Sequence, residues 1–508
     1  MRVLIFHGYL LGGTGSNVYN ARLAAALVRG GHDVHLLCQE RAPQEHAFVD
    51  ATGDWDSGEL TIRTLRLPVR CTVYRPAIGG LLPVYVEDRY AGLEVKTFAA
   101  CTEDELERYI ACNVAAVAEV AELVRPDAAL ANHLVMGPAI LRRAGVGCAV
   151  KVHGSALEYT VKADPARFLP YAREGLAGAS GVLVGSTHTA RSLWSAMADQ
   201  GLEERTRLGP PGVDVEEFFP RADAVLWPLV QRLRAEPPPP TGADAFARDG
   251  AAAAEALARL DLGRDRVVAF TGKLIVSKGV DLLLAAFPRV LARVPRARLV
   301  IVGFGAYRSG LERIVQALSD GDFAVLRSLA ADGRAVENGP RGELWMLSAF
   351  LDQVESDQEY LRAAARLRDA VVFTGRLEHA ELAQLLPACE AQVVPSTFPE
   401  AFGMVAAEAA ACGALPLSAA HSGLLEVSTE LAEAVPEEAA RWLSFELGVG
   451  AVDQLAGKLI AWLEAPAELR QRTRSSLARV ARERYSWDRV AERVLAAAAG
   501  RLDELPRA

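Results

Sequence analysis

The sequence predicts an α/β protein built from two doubly wound halves, each a parallel sheet with helices on both faces. Three observations carry that expectation. At 508 residues, 51% of them hydrophobic, the chain is longer than one core fills and apolar enough to build two. Short apolar runs alternate with helical stretches from residue 1 to about 219, and again from about 260 to 485. Between them, RAEPPPPTGADAFARDG (234–250) is proline-rich and then polar, the composition of a linker or surface excursion.

In chain order, MRVLIFHG reads as the first strand, NVYNARLAAALVRGG as an amphipathic helix closed by Gly30 and Gly31, and HDVHLLCQ as the second strand. PDAALAN (126–132), GCAVKVH (147–153) and GVLVGS (181–186) are short apolar runs that end in small or polar residues. The stretch LLPVYVEDRYAGLEVKTF (81–98) is expected to face an acceptor cleft. The pattern restarts with DRVVAFTGK (265–273), ARLVIVGFG (297–305), AVVFTGR (370–376) and AQVVPS (391–396). The expected domains are therefore 1–219 and 260–485, with 220–259 as linker or insert. Residues 318–369 separate the GFG and TGR strands by more chain than one helix requires. There Leu344, Leu347, Leu351 and Val354 recur at helical spacing. The expected amphipathic helix packs on the domain's own flank, with a homodimer contact or a lid as the alternative. In RERYSWDRVAERVLAAAAG, Ser486 is an N-cap for a helix starting at Trp487.

Composition excludes several classes. A formal net charge of −9 argues against a nucleic-acid binder, which needs a basic face. The seven cysteines are scattered, without C-x-x-C pairs, and suggest neither a disulfide framework nor a zinc site. MRVLIFHGYLLGG has no cleavage pattern of a secretory leader, and no apolar run reaches about 18 residues. A soluble, cytoplasmic protein is expected.

The most informative segment is PSTFPEAFGMVAAEAAACG (395–413). Its helix ends at Gly413, leaving Glu400 in the turn and Glu408 on the second helical turn. Helical side chains lean toward the N-terminus, so both carboxylates can reach the volume above the strand end, where open α/β sheets bind ligands. The N–H groups of Phe402, Gly403, Met404 and Val405 open the same helix and suit a phosphate. Donors for an anion beside acceptors for hydroxyls describe a pocket for a nucleotide sugar. Ser396 and Thr397 touch the donor or stabilise the turn. Lys273 and Lys278, in FTGKLIVSKGVDLLLAAF, lie after a strand and before a helix, suited to neutralising a diphosphate.

The segment FPEAFGMVAAEAAACGALP resembles the E-x7-E signature of the retaining glycosyltransferases of family 4, flanks included. The resemblance spans nearly the whole chain apart from 220–259 and 318–369. It implies the GT-B fold: two Rossmann-like domains facing across a cleft, with the C-terminal helix (486–508) returning to the first. It implies transfer of a sugar from a nucleoside-diphosphate sugar to a hydroxyl acceptor with retention, by same-face attack, needing no cofactor and no metal. Glu400 then binds hydroxyls of the transferred sugar and Glu408 the ribose, while Arg376 and Leu377 follow the strand whose backbone meets the base. That recognition is main-chain, so the base stays open: UDP is favoured, with GDP and ADP as alternatives. Where the family places arginine in G-R-x-x-x-x-K-G, this chain has Lys273, a point charge without the bidentate fork.

The resemblance also covers the first half. LLGGTGSNVY (10–19) is a glycine loop between strand and helix, but a dinucleotide fingerprint fails in it, since the third glycine position falls on Val18. GFGAYRSG fails likewise at Arg308. In the family this loop approaches the donor phosphates and the acceptor, which implies Gly13 and Gly15 on the donor side and Asn17 on the acceptor side. GSNVY is similar to the loop of members that glycosylate polyols such as inositol phosphate. His153, at a strand end in VKVHGSALEY, matches a family histidine near the donor sugar's hydroxymethyl group; with Glu400 and Lys278 it forms the expected catalytic set. Glu158 and Tyr159 either line the acceptor side or serve as caps and surface. A membrane-bound acceptor stays open, because peripheral members dock through basic patches. The competing functions are a phosphorylase or nucleotide-sugar epimerase of the same fold, and a non-catalytic sugar-nucleotide-binding module.

Overall fold

A computed structural model describes the chain except residues 13–14, 86–92, 222–223, 238–247 and 338. The chain divides into two compact units, Met1–Gly212 with Tyr485–Ala508, and Val213–Arg484.

The first unit is built on β1 (Arg2–Phe6), β2 (Asp33–Leu37), β3 (Ala51–Asp56), β4 (Glu59–Thr64), β5 (Cys71–Arg75), β6 (Leu81–Val84), β7 (Glu94–Thr97), β8 (Ala128–Asn132), β9 (Cys148–Lys151), β10 (Ala179–Val184) and β11 (Thr206–Leu208). Nine of these form one sheet, ordered β11-β10-β9-β8-β1-β2-β5-β3-β4. Only the β3–β4 pairing is antiparallel. After Arg2, β1 reads apolar because both faces of a central parallel strand are covered; Val3 through Phe6 are buried. The strand order reverses between β1 and β8, which puts any ligand of this sheet at their carboxyl ends. β6 and β7 pair separately, Leu81 opposite Glu94, and the middle of the 81–98 stretch lies outside the described residues.

The helix Gly15–Arg29 buries Leu23, Ala24 and Leu27 against one face of this sheet. The helix Trp487–Ala498 joins the same core through Trp487, Val490 and Val494. The Ser486 hydroxyl accepts the Arg489 N–H at 3.4 Å, as a cap should. The Trp487 ring stands edge-on to Tyr19, centroids 5.4 Å apart, and a Cβ on Gly212 would come within 2.7 Å of it. Trp487 is thus an anchor of this core.

The second unit carries β12 (Arg266–Thr271), β13 (Ala297–Val302), β14 (Val371–Gly375), β15 (Ala391–Val394), β16 (Leu415–Ala419) and β17 (Ser444–Phe445). All six are parallel, in the order β14-β13-β12-β15-β16-β17. This is the 3-2-1-4-5-6 order of a Rossmann sheet, reversing between β12 and β15. In the stretch expected as linker, helices Trp227–Arg234 and Gly250–Ala258 lie on either side of the undescribed residues, burying Leu229, Leu233, Ala254 and Leu257. Arg248 clasps Glu236 and Glu381, the latter at 2.6 Å. In 318–369, the helix Trp345–Val354 buries Leu347, Phe350, Leu351 and Val354, and the Tyr360 hydroxyl donates 2.9 Å to the Ala285 carbonyl of the unit's own helix Val280–Arg293.

Candidate active site

In the second unit the loops after β12 and β15 are stitched together at the point where strand order reverses. The Ser277 carbonyl accepts the Thr397 N–H at 2.8 Å and the Ser396 hydroxyl at 3.1 Å. Gly279 makes the approach feasible: it sits at φ +65°, and a Cβ there would lie 2.0 Å from the Pro395 carbonyl oxygen. Gly303 does the same for the loop after β13, where a Cβ would lie 1.8 Å from the Gly272 oxygen.

The stitched loops bring Lys278 Nζ into an ion pair with Glu400 Oε1. Ser396 Oγ lies 2.8 Å from the same oxygen. The Glu400 backbone is fixed as well: its N–H donates to Ser422 Oγ at 2.9 Å and its carbonyl accepts from Gly423 N–H at 3.0 Å. Ser422 lies 3.0 Å from His421 Nδ1, and His421 Nε2 donates to the Ser396 carbonyl at 2.7 Å. Directly after this turn, the helix Met404–Ala411 starts at Gly403. Its first N–H groups have no partner within the helix and carry partial positive charge. Glu408, buried on the second turn, points Oε1 to His379 Nε2 at 3.2 Å. Lys273, on the same loop as Lys278, is exposed and has no ion-pair partner among the described residues. Arg376 follows β14, pairs with Glu378 at 3.0 Å and lies over the Phe304 ring; Leu377 beside it is buried. Among the described residues no group of three or more His, Cys, Asp or Glu side chains is placed to hold a metal ion.

The first unit collects a different chemistry at the carboxyl ends of β1, β8 and β9. His153 Nε2 lies 2.9 Å from Asn132 Oδ1, and its ring stands edge-on to Tyr19 at 5.0 Å. The buried His133 is packed beside it, ring centroids 4.9 Å apart. Burial holds His153 and His133 well below the usual imidazole range and brings His7 down to about 4. All three are neutral at pH 7. Lys151, buried behind His153, donates to the Gly209 carbonyl at 2.5 Å, and desolvation brings it down to about 7.

Comparisons with known proteins identify the family. Residues 14–212 match the Glycosyl transferase 4-like domain, and residues 265–334 and 352–479 match Glycosyl transferases group 1. The chain belongs to glycosyltransferase family 4. One similar protein is the D-inositol 3-phosphate glycosyltransferase of Segniliparus rotundus, 31% identical over 245 residues, which are 48% of this chain and 42% of that one. Another is a GDP-mannose-dependent alpha-(1-6)-phosphatidylinositol monomannoside mannosyltransferase of Mycobacterium tuberculosis, 36% identical over 147 residues, 28% of this chain and 37% of that one. The matched stretches thus span well under two thirds of these relatives. Among solved structures, sucrose-phosphate synthase from Thermosynechococcus elongatus aligns over 99% of this chain and 98% of its own, with TM-score 0.56 and 19% identity. Anabaena HepE, in complex with UDP and glucose, aligns over 99% and 100% with TM-score 0.55 and 17% identity. At such identities they establish the fold, which is GT-B.

In this family 4 glycosyltransferase, the residues expected around the donor in the second unit fall on three loops at the carboxyl edge of one sheet. Lys273 and Lys278 follow β12, Arg376 and Leu377 follow β14, and Glu400, Phe402, Gly403, Met404, Val405 and Glu408 follow β15. The first unit is more mixed. Gly13 lies outside the described residues, and Gly15 opens its helix. Asn17 is buried, with Oδ1 3.0 Å from His7 Nε2 and Nδ2 donating to the Gly12 carbonyl at 2.7 Å, so its side chain is committed to the loop. Glu158 is held by Lys162 at 2.8 Å and by Ser192 at 2.5 Å on the unit's own surface. Tyr159 next to it is 54% exposed.

The sequence reading missed His379, His421 and Ser422 in the second unit, and His7, Asn20 and Asn132 in the first. One signal was available. His421 and Ser422 come just after the apolar run LPLSA, as Ser396 comes just after AQVV. Polar residues at the carboxyl end of a parallel strand face the ligand side of the sheet.

Proposed function

We propose that this protein transfers a sugar from a nucleoside-diphosphate sugar to a hydroxyl acceptor, with retention of configuration and without a divalent metal. The observation that carries the reading is the Lys278–Glu400 pair at the reversal point of the second sheet, beside a helix N-terminus. As the bond to the pyrophosphate breaks, negative charge grows on the β-phosphate. Lys278, Lys273 and the N–H groups of Gly403, Met404 and Val405 offset it, the role a divalent cation plays elsewhere. Glu400 accepts hydrogen bonds from hydroxyls of the transferred sugar and is aimed by Ser396 and Lys278. Glu408, aimed by His379, accepts from the ribose. The acceptor attacks on the face the nucleotide leaves, and a departing phosphate oxygen takes its proton, which retains the anomeric configuration. His153 contributes recognition of a hydroxyl.

The relatives' names, one acting on D-inositol 3-phosphate and one GDP-mannose-dependent, support inositol phosphates as first acceptor probes and GDP beside UDP as first nucleotides. The test is a thermal-shift panel of UDP, GDP and ADP, followed by product analysis with the matching sugar donors, with and without chelator. The expected outcome is stabilisation by one base, turnover that survives the chelator, and an axial donor linkage that remains axial in product. An inverted product or strict magnesium dependence would overturn the mechanism. Acceptor-free isomerisation of the donor would indicate an epimerase, and binding without turnover a recognition module.

A further inference from the structure

Behind His153 runs a chain of buried side-chain hydrogen bonds whose polarity is fixed at every link. His7 Nε2 is 3.0 Å from both the Leu10 carbonyl and Asn17 Oδ1. The Asn17 amide orientation is set because its Nδ2 donates to the Gly12 carbonyl. His7 Nε2 therefore faces two acceptors and carries the proton, leaving Nδ1 bare. That nitrogen accepts from Asn20 Nδ2 at 3.0 Å. The other Asn20 N–H donates to the Ser16 carbonyl at 2.9 Å, so both amide protons are spent and Oδ1 faces onward. Asn20 Oδ1 accepts from Asn132 Nδ2 at 2.7 Å. The second Asn132 N–H points to the Phe6 carbonyl at 3.3 Å, which leaves Asn132 Oδ1 for His153 Nε2 at 2.9 Å. His7, Asn20 and Asn132 are each at most 1% exposed. Four main-chain carbonyls, Leu10, Gly12, Ser16 and Phe6, thus dictate the direction of the whole chain.

We infer that this relay is a positioning device: Asn132, Asn20 and His7 hold His153 as the Nε2–H tautomer and present its bare Nδ1 to the substrate. His153 Nδ1 has no partner among the described residues and is not sealed within the core. A bare imidazole nitrogen accepts a hydrogen bond and cannot donate one. His153 Nδ1 thus accepts a hydrogen bond from a hydroxyl of the sugar or acceptor and offers nothing to a phosphate. Three of the four anchoring carbonyls belong to the glycine loop and the helix it opens, so the placement of Leu10, Gly12 and Ser16 sets the tautomer of His153. This rests on the proposed glycosyl transfer only for the identity of the hydroxyl; the tautomer itself is a property of the free protein.

The experiment is 15N NMR of the full chain labelled at histidine, with the His153 and His7 signals assigned by H153Q and H7Q. The expected spectrum at pH 7.5 shows both rings as single Nε2–H tautomers, with His153 Nδ1 bare. Asn132→Leu then removes the acceptor, the His153 pattern changes to a mixture or to Nδ1–H, and kcat/KM falls about tenfold, the weight of one buried hydrogen bond. Asn132→Gln, which keeps the amide, restores part of the Nε2–H signature. A protonated or Nδ1–H His153 in the wild-type protein overturns the relay, whatever the variants do. The expected tautomer without any turnover leaves the relay standing and overturns the glycosyltransferase reading.

Discussion

The two units present opposite chemistries at the carboxyl ends of their strands. In the first, the strand ends carry buried neutral groups: His7, Asn20, Asn132 and His153 in one hydrogen-bonded series. In the second they carry ions and a helix terminus: Lys278 on Glu400, with Lys273 exposed on the same loop and Glu408 on His379. The difference follows from what each is proposed to bind. A hydroxyl asks for a directed donor or acceptor, and a neutral relay gives direction without the cost of burying charge. A leaving pyrophosphate asks for compensating charge, which lysines and amide dipoles supply at a partly open site.

The largest effect is expected where that charge is removed. Lys278→Ala should lower kcat by about 10²–10³-fold, as losing one preorganised donor at a developing anion does, while nucleotide binding weakens less. Steady-state kinetics alongside calorimetry separate the two. A variant that loses affinity in full proportion to rate would make Lys278 a ground-state binder only. Glu400→Gln keeps the hydrogen bond to Ser396 but unpairs Lys278, and a loss confined to the sugar nucleotide, with the free nucleoside diphosphate bound as before, would sharpen its role.

Gly279→Ala attacks the scaffold under that charge. A Cβ 2.0 Å from the Pro395 oxygen forces the loops after β12 and β15 apart. The cost is about 1–3 kcal/mol of strain, read as a lowered melting temperature of the second unit and weaker nucleotide binding together. An unchanged melting temperature would mean the two loops are not held as tightly as Ser277, Ser396 and Thr397 indicate.

How far these sites could be read in the sequence follows the same division. The second unit's site was legible because its chemistry lies in one continuous segment, with Glu400, the helix start and Glu408 inside PSTFPEAFGMVAAEAAACG, and with the lysines in a single strand-to-helix loop. The first unit's relay joins residues 7, 20, 132 and 153, whose proximity depends on β1 lying beside β8 and β8 beside β9. No spacing rule encodes that order. Strands were found where both faces are buried, as in RVLIF and RVVAFT, and missed where alternation was imperfect or short. Glu59–Thr64 is an exposed edge strand, and Thr206–Leu208 and Ser444–Phe445 span too few residues for a period. Most of the proline run at 237–240 lies outside the described residues, and the helices Trp227–Arg234 and Gly250–Ala258 on either side were missed because they are short and their apolar faces narrow.

Acid should separate the units. His7 sits near 4 in the fold against 6.5 in the open chain, so between those values the unfolded chain takes up a proton that the folded one refuses. The contribution is intact above pH 6.5 and is lost as pH falls toward 4, up to about 3 kcal/mol for this group alone. His133 and His153 have the same sign. In the second unit the buried Asp281 is raised from 3.8 to about 7 by desolvation, so its folded form holds a proton, and its contribution is gained as pH falls from 7 toward 3.8. Hydrogen exchange at pH 7.5 and pH 5 should show β1, β8 and β9 losing protection before β12 and β13. The reverse order would mean that other groups outweigh the histidines.

The smallest effect tests a histidine of the second unit that contacts a carboxylate directly. His379 Nε2 lies 3.2 Å from Glu408 Oε1, and its ring packs edge-on to Phe218 at 5.9 Å. His379→Phe keeps an aromatic ring against Phe218 and removes the hydrogen bond to Glu408. If Glu408 grips ribose hydroxyls in an orientation His379 sets, affinity for the ribonucleoside diphosphate should fall about three- to tenfold, while the 2′,3′-dideoxy nucleotide, which gives Glu408 nothing to hold, should bind both proteins alike. Equal losses for the two nucleotides would place the effect on packing around Phe218 and remove the ribose from the account of Glu408.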